Sequence, residues 1–279
     1  MRANGDAEAS STSIAALTLA GARRSADPVA LREGVALKAF AEIAGASMLE
    51  RALGALDGDP RIGRRLVCLP EGIEAAQLPP ALARLFEASA VERLDAACSP
   101  AASVAKALDM LPPDQPLLVT TADSPLLATE TLGAFLDAAL RARADAVVGF
   151  VTIDRIRTNY PSSRRTGLAF RGGALAGCNL FLLAGPNRDR VARFWRALEA
   201  RRKSPLAMAW TIGPATLALY AARLLTVEGA LGRIGRACGA ALAPALLEDP
   251  LAGMDVDTPE DLDLARRVLA AGPKAGRAG

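Results

Sequence analysis

The chain contains no histidine in its 279 residues. That removes Ser-His-Asp triads, Cys-His pairs, HExxH zinc sites and imidazole acid–base chemistry. What remains is chemistry by carboxylates, lysine and arginine, or by a metal held on oxygen. Aromatic residues make up only 4%, and no basic run is interleaved with them, so a net charge of +3 gives no warrant for a nucleic-acid partner. The four cysteines (Cys68, Cys98, Cys178, Cys238) lie far apart and form no CxxC. They read as reduced, mostly buried thiols of a cytoplasmic protein, with no zinc site. A secretory leader is disfavoured, because residues 1–13 set Asp6 and Glu8 against one arginine and the apolar run behind them is short.

What is present suits an α/β enzyme. Half the residues are apolar, with alanine and leucine dominant, and the length allows one domain with a sizeable core. We place that domain at residues 14–269, with a helical apolar insertion near 190–240. A disordered tail (1–13) and a loose basic tail (270–279) flank it.

The chain is organised around residues 14–38. The apolar run Ile14-Ala-Ala-Leu-Thr-Leu-Ala20 stops at Gly21, and Arg23 and Arg24 follow at once. A buried parallel strand reads this way when it empties into a loop at its carboxyl end, where open α/β sheets bind ligands. Glycine admits close approach of a ligand, and Arg23, Arg24 and Lys38 supply positive charge, so the expected ligand is an anion, a phosphate chain first. No GxGxxG follows this strand, so a nicotinamide-dependent oxidoreductase has poor support.

Downstream, helical periodicity runs over residues 47–56 with Ser47 as cap, and residues 65–69 form a second strand. Residues 81–90 and 91–94 read as a short helix and then a strand. Ser99 with Pro100 starts a helix that runs through Leu111. Residues 116–122 form the clearest strand, ending at Asp123-Ser-Pro. An acid at the carboxyl tip of a central strand faces the ligand crevice; alternatively, Asp123 caps the next helix. Residues 129–143 form an amphipathic helix, with Thr129 as the expected cap. A strand follows at 146–153, then a polar segment rich in arginine, then Gly177-Cys-Asn179 before an apolar run. Asn179 either turns the chain by its own side-chain bonds or touches a ligand. Residues 190–203 form an arginine-rich helix.

Residues 204–222 carry no charge and are broken by Gly213-Pro214. They read as two buried helices or a subunit contact, or else as a surface that meets a membrane. Last, Thr258-Pro-Glu-Asp starts the final helix and leaves Asp255 and Asp257 unexplained. Alternating residues of an extended segment share a side, and two carboxylates there are costly unless a cation joins them.

Leu19-Ala20-Gly21-x-Arg23, followed by Lys38-Ala39-Phe40 and Ile43-Ala-Gly-Ala-Ser47-Met-Leu49, resembles the opening of the MobA-like nucleotidyltransferases. The resemblance continues in family order through the DxP at Asp123 to Asp255-Val-Asp257-Thr-Pro-Glu-Asp-Leu, and so spans residues 14–269. It implies a Rossmann-like three-layer α/β/α fold with a mostly parallel sheet, of the nucleotide-diphospho-sugar transferase type. It also implies Mg²⁺-dependent transfer of a nucleoside monophosphate from an NTP, CTP or GTP, to a phosphorylated small molecule, releasing pyrophosphate. Residue by residue, Leu19, Ala20, Gly21 and Ala22 would hold the nucleotide, with Ser103 at its base. Arg23 and Lys38 would neutralise charge in the reaction. Asp123, Asp255 and Asp257 would serve the metal, and Arg164, Arg165 and Asn179 the acceptor.

An acceptor phosphate is already ionised and needs no general base, which agrees with the missing histidines. The loop departs from the family pattern: Ala22 follows Gly21, and the run to Lys38 is long. The competing expectations are a non-catalytic nucleotide-binding relative and a membrane-associated adaptor built on residues 204–222. A homodimer is compatible with either reading of that apolar segment.

Overall fold

A computed structural model of the chain describes residues 13–21, 27–201, 211 and 213–272. The first strand, β1 (Ile14–Leu19), alternates its side chains between two apolar layers. Ile14 and Ala16 face one layer, and Ala15 and Leu17 the other. Both faces are therefore buried, which is why the strand carries no polar/apolar alternation.

After β1 come α1 (Pro28–Glu33), a small hairpin of β2 (Glu42–Ile43) and β3 (Ala46–Ser47), and α2 (Met48–Asp57). The chain continues through β4 (Ile62–Leu69), α3 (Pro80–Glu87), β5 (Glu92–Asp95), α4 (Pro100–Asp109) and β6 (Leu117–Thr121). Then follow α5 (Thr129–Ala142), β7 (Ala146–Thr152), α6 (Ile153–Asn159), β8 (Leu168–Phe170) and β9 (Gly173–Leu183). The last elements are α7 (Arg188–Arg201), α8 (Pro214–Ala221), α9 (Val227–Cys238), β10 (Leu242–Leu246) and α10 (Pro259–Ala270).

The large sheet runs β10-β7-β9-β6-β1-β4-β5, with β8 paired to β9. Its members are parallel except where β9 lies antiparallel to β6, β7 and β8. That antiparallel member has a local cause. The chain leaves β7 at Thr152, makes an excursion through α6 and β8, and returns with Leu175 opposite Thr152. The excursion therefore stays at the carboxyl edge of the sheet, and it carries Arg164 and Arg165.

Residues of α2, α5 and α10 pack on one face of the sheet, and those of α4 and α7 on the other. The result is a three-layer α/β/α fold with a mostly parallel sheet. Strand order reverses at β1, with β4 on one side and β6 on the other, which is the switch point where such sheets open a crevice.

Several local expectations are corrected. Ala128, not Thr129, is the N-cap of α5; the Thr129 hydroxyl instead donates to the carbonyl of Ala55. The run from Gly21 to Leu37, expected as one loop, contains a helix, since Asp27 caps α1 through the amides of Val29 and Ala30. Cys68 and Cys178 are buried as free thiols, burial pushing Cys178 up to about 12, but Cys98 is exposed. Within the apolar segment, residues 202–210 and 212 lie outside the described residues, as do both tail ends, 1–12 and 273–279. Its helix α8 is half-buried rather than buried: Thr216 alone is fully enclosed. Tyr220 accepts the amide of Ala169 and meets the ring of Phe170 edge-on at 5.7 Å. Among the described residues no helix is long and apolar enough to cross a membrane.

Asp145, buried just before β7, accepts the amides of Asn187 (2.9 Å) and Ala241 (2.7 Å) and thereby ties α7 and β10 to the sheet. Burial opposes its ionisation, but these donors outweigh it and hold the carboxyl below its ordinary 3.8. A depressed folded value means stability that is complete above the ordinary value and lost as pH falls through the folded one. The Tm advantage of the wild type over Asp145→Ala is thus expected to shrink from about pH 5 down to about pH 2. Thermal melts across that range check it; a gap independent of pH contradicts it.

Candidate active site

The carboxyl ends of β1 and β6 lie side by side, and the amide of Ala122 donates to the carbonyl of Leu19 at 2.9 Å. This sets Gly21 beside Asp123. Gly21 is exposed, and a Cβ built on it meets no atom of the described residues within 4 Å. Its backbone does not occupy the left-handed region either. Among the described residues neither packing nor conformation asks for glycine here, and an exposed glycine lets a ligand approach the backbone closely. Ala22, Arg23 and Arg24 lie outside the described residues.

Lys38 enters from a 3₁₀ turn (Lys38–Phe40) anchored by the buried side chains of Leu37, Ala39 and Phe40. The preceding α1 is fastened to α10: Arg32 pairs with Asp263, and Glu33 with Arg266 at 2.6 Å. Sequence reasoning missed Arg32, Glu33, Asp263 and Arg266. The Asp27-Pro28 pair was a readable helix start, but nothing local pointed to α10. That clamp brings Lys38 next to the segment preceding α10, where Thr258 and Asp261 form a reciprocal cap.

The Lys38 ammonium donates to Asp123 Oδ2 at 2.7 Å, to Asp257 Oδ1 at 3.0 Å and to the carbonyl of Val256 at 3.0 Å. Burial works against this cation. The two carboxylates outweigh it and raise the ammonium above its ordinary value, so Lys38 is charged. Asp123 does not cap the next helix. Its segment is fixed by the amide of Val256, which donates to the carbonyl of Asp123 at 2.8 Å. Its second oxygen, Oδ1, is buried without a hydrogen-bond partner, the one such carboxylate oxygen among the described residues. A buried acceptor left in this state is costly, and such exceptions cluster where a ligand completes the set.

Asp255 stands differently from the expectation that it shares one cation with Asp257. Its Oδ1 takes Arg165 Nη1, and its Oδ2 accepts Asn179 Nδ2 at 3.2 Å. Each of the two neighbouring acids thus has its own basic partner, Arg165 for Asp255 and Lys38 for Asp257. Burial pushes the Asp255 carboxyl upward and Arg165 pulls it back, with Asp123 and Asp257 adding to the rise; the net shift is up.

Arg165 also donates Nε to the carbonyl of Gly253 at 2.8 Å. Asn179 sits at φ +52° within β9, where the β7–β9 register is irregular. Left-handed backbone at a non-glycine residue costs about 1–2 kcal/mol, Asn being among the residues that tolerate it. Here that conformation aims the side chain at Asp255 rather than at its own backbone.

Two expected contacts fare differently. Arg164 is exposed and separate from this cluster. Ser103 is buried at 2% exposure, its hydroxyl accepting from the amide of Ala97 (2.9 Å) and donating to the carbonyl of Ser99 (3.2 Å). Those two bonds shape the loop before α4. Ser99 does cap α4 through the amide of Ala102. Leu19 ends β1 half-buried, and Ala20, just past the strand, is buried, so any contact Ala20 makes with a ligand runs through backbone.

A family model for the MobA-like NTP transferase domain matches residues 29–237, which include Lys38 and Asp123. A hypothetical transferase from Thermus thermophilus is similar, with 26% identity and a TM-score of 0.73 over 90% of this chain and 99% of that one. The 2-C-methyl-D-erythritol 4-phosphate cytidylyltransferase of Thermus thermophilus shares the fold at 18% identity and TM-score 0.51, covering 92% and 99% of the two chains. A CMP:2-keto-3-deoxy-manno-octonic acid synthetase solved with CTP does so at 13% identity and TM-score 0.52, covering 93% and 99%. No curated protein matches the chain in sequence. The family match covers most of the chain and contains the lysine and the aspartate that meet at the switch point: the chain belongs to the MobA-like NTP transferase domain family.

Proposed function

We propose that the protein is a Mg²⁺-dependent nucleotidyltransferase that moves a nucleoside monophosphate from an NTP to a phosphorylated small molecule. The observation that carries this reading is the meeting of Lys38, Asp123 and Asp257 at the carboxyl edge of β1 and β6. In the reaction an acceptor phosphate oxygen attacks the α-phosphorus in line. The bond from that phosphorus to the bridging oxygen of the β-phosphate breaks, and pyrophosphate carries away the electron pair.

Residues of the chain divide the work. The backbone at Gly21 would meet the triphosphate, and Lys38, with Arg23 two residues after Gly21 in the sequence, would offset its charge. The remaining donor hydrogens of Arg165, whose Nη1 and Nε are engaged by Asp255 and by the carbonyl of Gly253, suit a second anion, the acceptor phosphate. Asn179 and Asp255 then act as its supports.

The donor set fits magnesium. Asp123 has an orphaned buried oxygen, and Asp257 is the second carboxylate on that side. Among the described residues no group of three or more His, Cys, Asp or Glu forms a closed cage. One or two carboxylates completed by water and substrate phosphates is the usual magnesium arrangement. When bound, the ion lowers repulsion between nucleophile and triphosphate and stabilises charge on the leaving group.

CTP is the first nucleotide to test, since one structural neighbour is a cytidylyltransferase and another was solved with CTP; GTP follows. Pyrophosphate release should be measured for the four NTPs against phosphorylated alcohols and sugars, with and without Mg²⁺. Release that needs one NTP, one acceptor and the metal together is expected. Nucleotide binding without release in any combination would favour the non-catalytic relative.

A further inference from the structure

Helix α8 carries no charge and is apolar nearly all round, a composition that ordinarily belongs inside a protein. Yet Thr216 is its one enclosed residue, and Pro214, Ala215 and Ala218 are exposed. Two hydrogen bonds fasten the end of this helix and the turn after it to β8. The Tyr220 hydroxyl accepts the amide of Ala169 at 3.2 Å, and the amide of Arg171 donates to the carbonyl of Leu225 at 2.8 Å. They join two stretches without acids, since no Asp or Glu occurs from 155 to 188 or from 200 to 227. The acids bordering them, Asp154 and Glu228, lie in the first turns of α6 and α9. The joined surface shows exposed Leu168 and Leu224 with exposed Arg171 and Arg223, and Arg164 is exposed on the approach to β8. Among the described residues none of these three arginines forms an ion pair.

The turn after α8 adds a second observation. The amide of Arg223 donates to the carbonyl of Tyr220, and that of Leu224 to the carbonyl of Leu219, both at 2.9 Å. This is the Schellman pattern, with Arg223 in left-handed backbone at φ +57°, where glycine is favoured for want of a Cβ. The helix dipole favours a cation there, but it does not require one that is fully exposed. A hydrophobic residue at the next position commonly packs back on the helix. Leu224 is instead 61% exposed.

We propose that this surface docks on an anionic lipid bilayer, with Leu168 and Leu224 entering the headgroup boundary and Arg164, Arg171 and Arg223 meeting lipid phosphates. Exposed apolar side chains rimmed by cations are what shallow binding to such a membrane needs, and no spanning helix is involved. A second copy of the chain fits worse, because a two-fold contact would set these arginines against their own counterparts.

The probe is a set of vesicles, of phosphatidylglycerol or of phosphatidylcholine, floated with the full chain in the absence of nucleotide. Wild type is expected to float with the anionic vesicles alone, and rising salt should release it. Arg171→Ala and Arg223→Gly should each weaken binding about five-fold, and Leu224→Ser about ten-fold. Arg223→Gly should do so with an unchanged or higher Tm, because glycine suits that turn, which a merely structural role for Arg223 would not give. Arg141→Ala, the same charge change on α5 across the sheet, should bind as wild type.

Circular dichroism checks folding, and Leu168→Ser replaces Leu224→Ser if the latter does not fold. Equal binding to both vesicles, binding to neither, or an equal loss in Arg141→Ala overturns the proposal. Two further results overturn it by naming another occupant. Binding to polyglutamate but not to vesicles reassigns the surface to an acidic protein. A dimer in sedimentation velocity that Leu224→Ser dissociates, with no vesicle binding, reassigns it to a second copy. Nothing in this test draws on nucleotide transfer, so vesicle binding and pyrophosphate release stand or fall separately.

Discussion

Asp123→Asn is expected to lower kcat for pyrophosphate release by about 1,000-fold, or ~4 kcal/mol of transition-state stabilisation. Asparagine keeps the shape and one oxygen, so the loss comes from charge. Two consequences separate this from a structural role. Asp123→Asn should demand far more Mg²⁺ for whatever turnover remains, and its Tm should stay near that of wild type, because Lys38 keeps Asp257 and the carbonyl of Val256. If Asp123 only positioned Lys38, the Mg²⁺ requirement would not move. Steady-state kinetics across a magnesium titration, with a melt on the same preparation, checks both; unchanged turnover would overturn the site.

Arg165→Met should act on the other half of the site. It leaves the Asp255 side chain, 11% exposed, with Asn179 as its remaining partner, and removing one member of a buried pair costs about 3–5 kcal/mol. With Arg165 still 23% exposed, a loss of ~2–3 kcal/mol is the expected scale here. It should also raise KM for the acceptor by about ten- to a hundred-fold, the effect of losing a charge-assisted anion contact, while the Mg²⁺ requirement stays put. The double variant Arg165→Met/Asp255→Asn distinguishes the two effects. Stability should return in part, because no charge is left buried alone, whereas acceptor KM should not return. Asp255→Asn by itself should leave the Mg²⁺ requirement unchanged. A rise in that requirement would put Asp255 back among the metal ligands and withdraw its role as a support for Arg165.

How much of this was legible beforehand depended on how local each signal was. Asp123 could be read because an apolar β-rich strand, its carboxyl tip and the following Ser-Pro are contiguous in the chain. The cap before α10 was equally plain, since Thr258 and Asp261 lie three residues apart and Pro259 fills the first helical position. Asp255 and Asp257 could be singled out but not separated. Alternation said that they share a side, yet their fates are set by Arg165 and Lys38, which arrive from 90 and 219 residues away in the chain. Thr129 failed as a cap because the extended residue before the helix is Ala128, which puts Thr129 inside the first turn, where its hydroxyl donates to the carbonyl of Ala55 on a packed neighbouring helix. That Ser103 spends its hydroxyl on Ala97 and Ser99 in the loop before α4 was not visible in the sequence either.

Sequence by itself determined the class of fold and the class of chemistry. Runs of apolar residues with period two or 3.6 dictate strands and helices locally, and a chain without histidine has no imidazole acid–base chemistry. Only the tertiary structure decided the pairing: which acid faces which base, that β9 returns antiparallel and carries a left-handed Asn179 to Asp255, and that α1 is fastened to α10. Those outcomes turn on where buried charge finds a partner at least cost, and that depends on distances between segments remote in sequence.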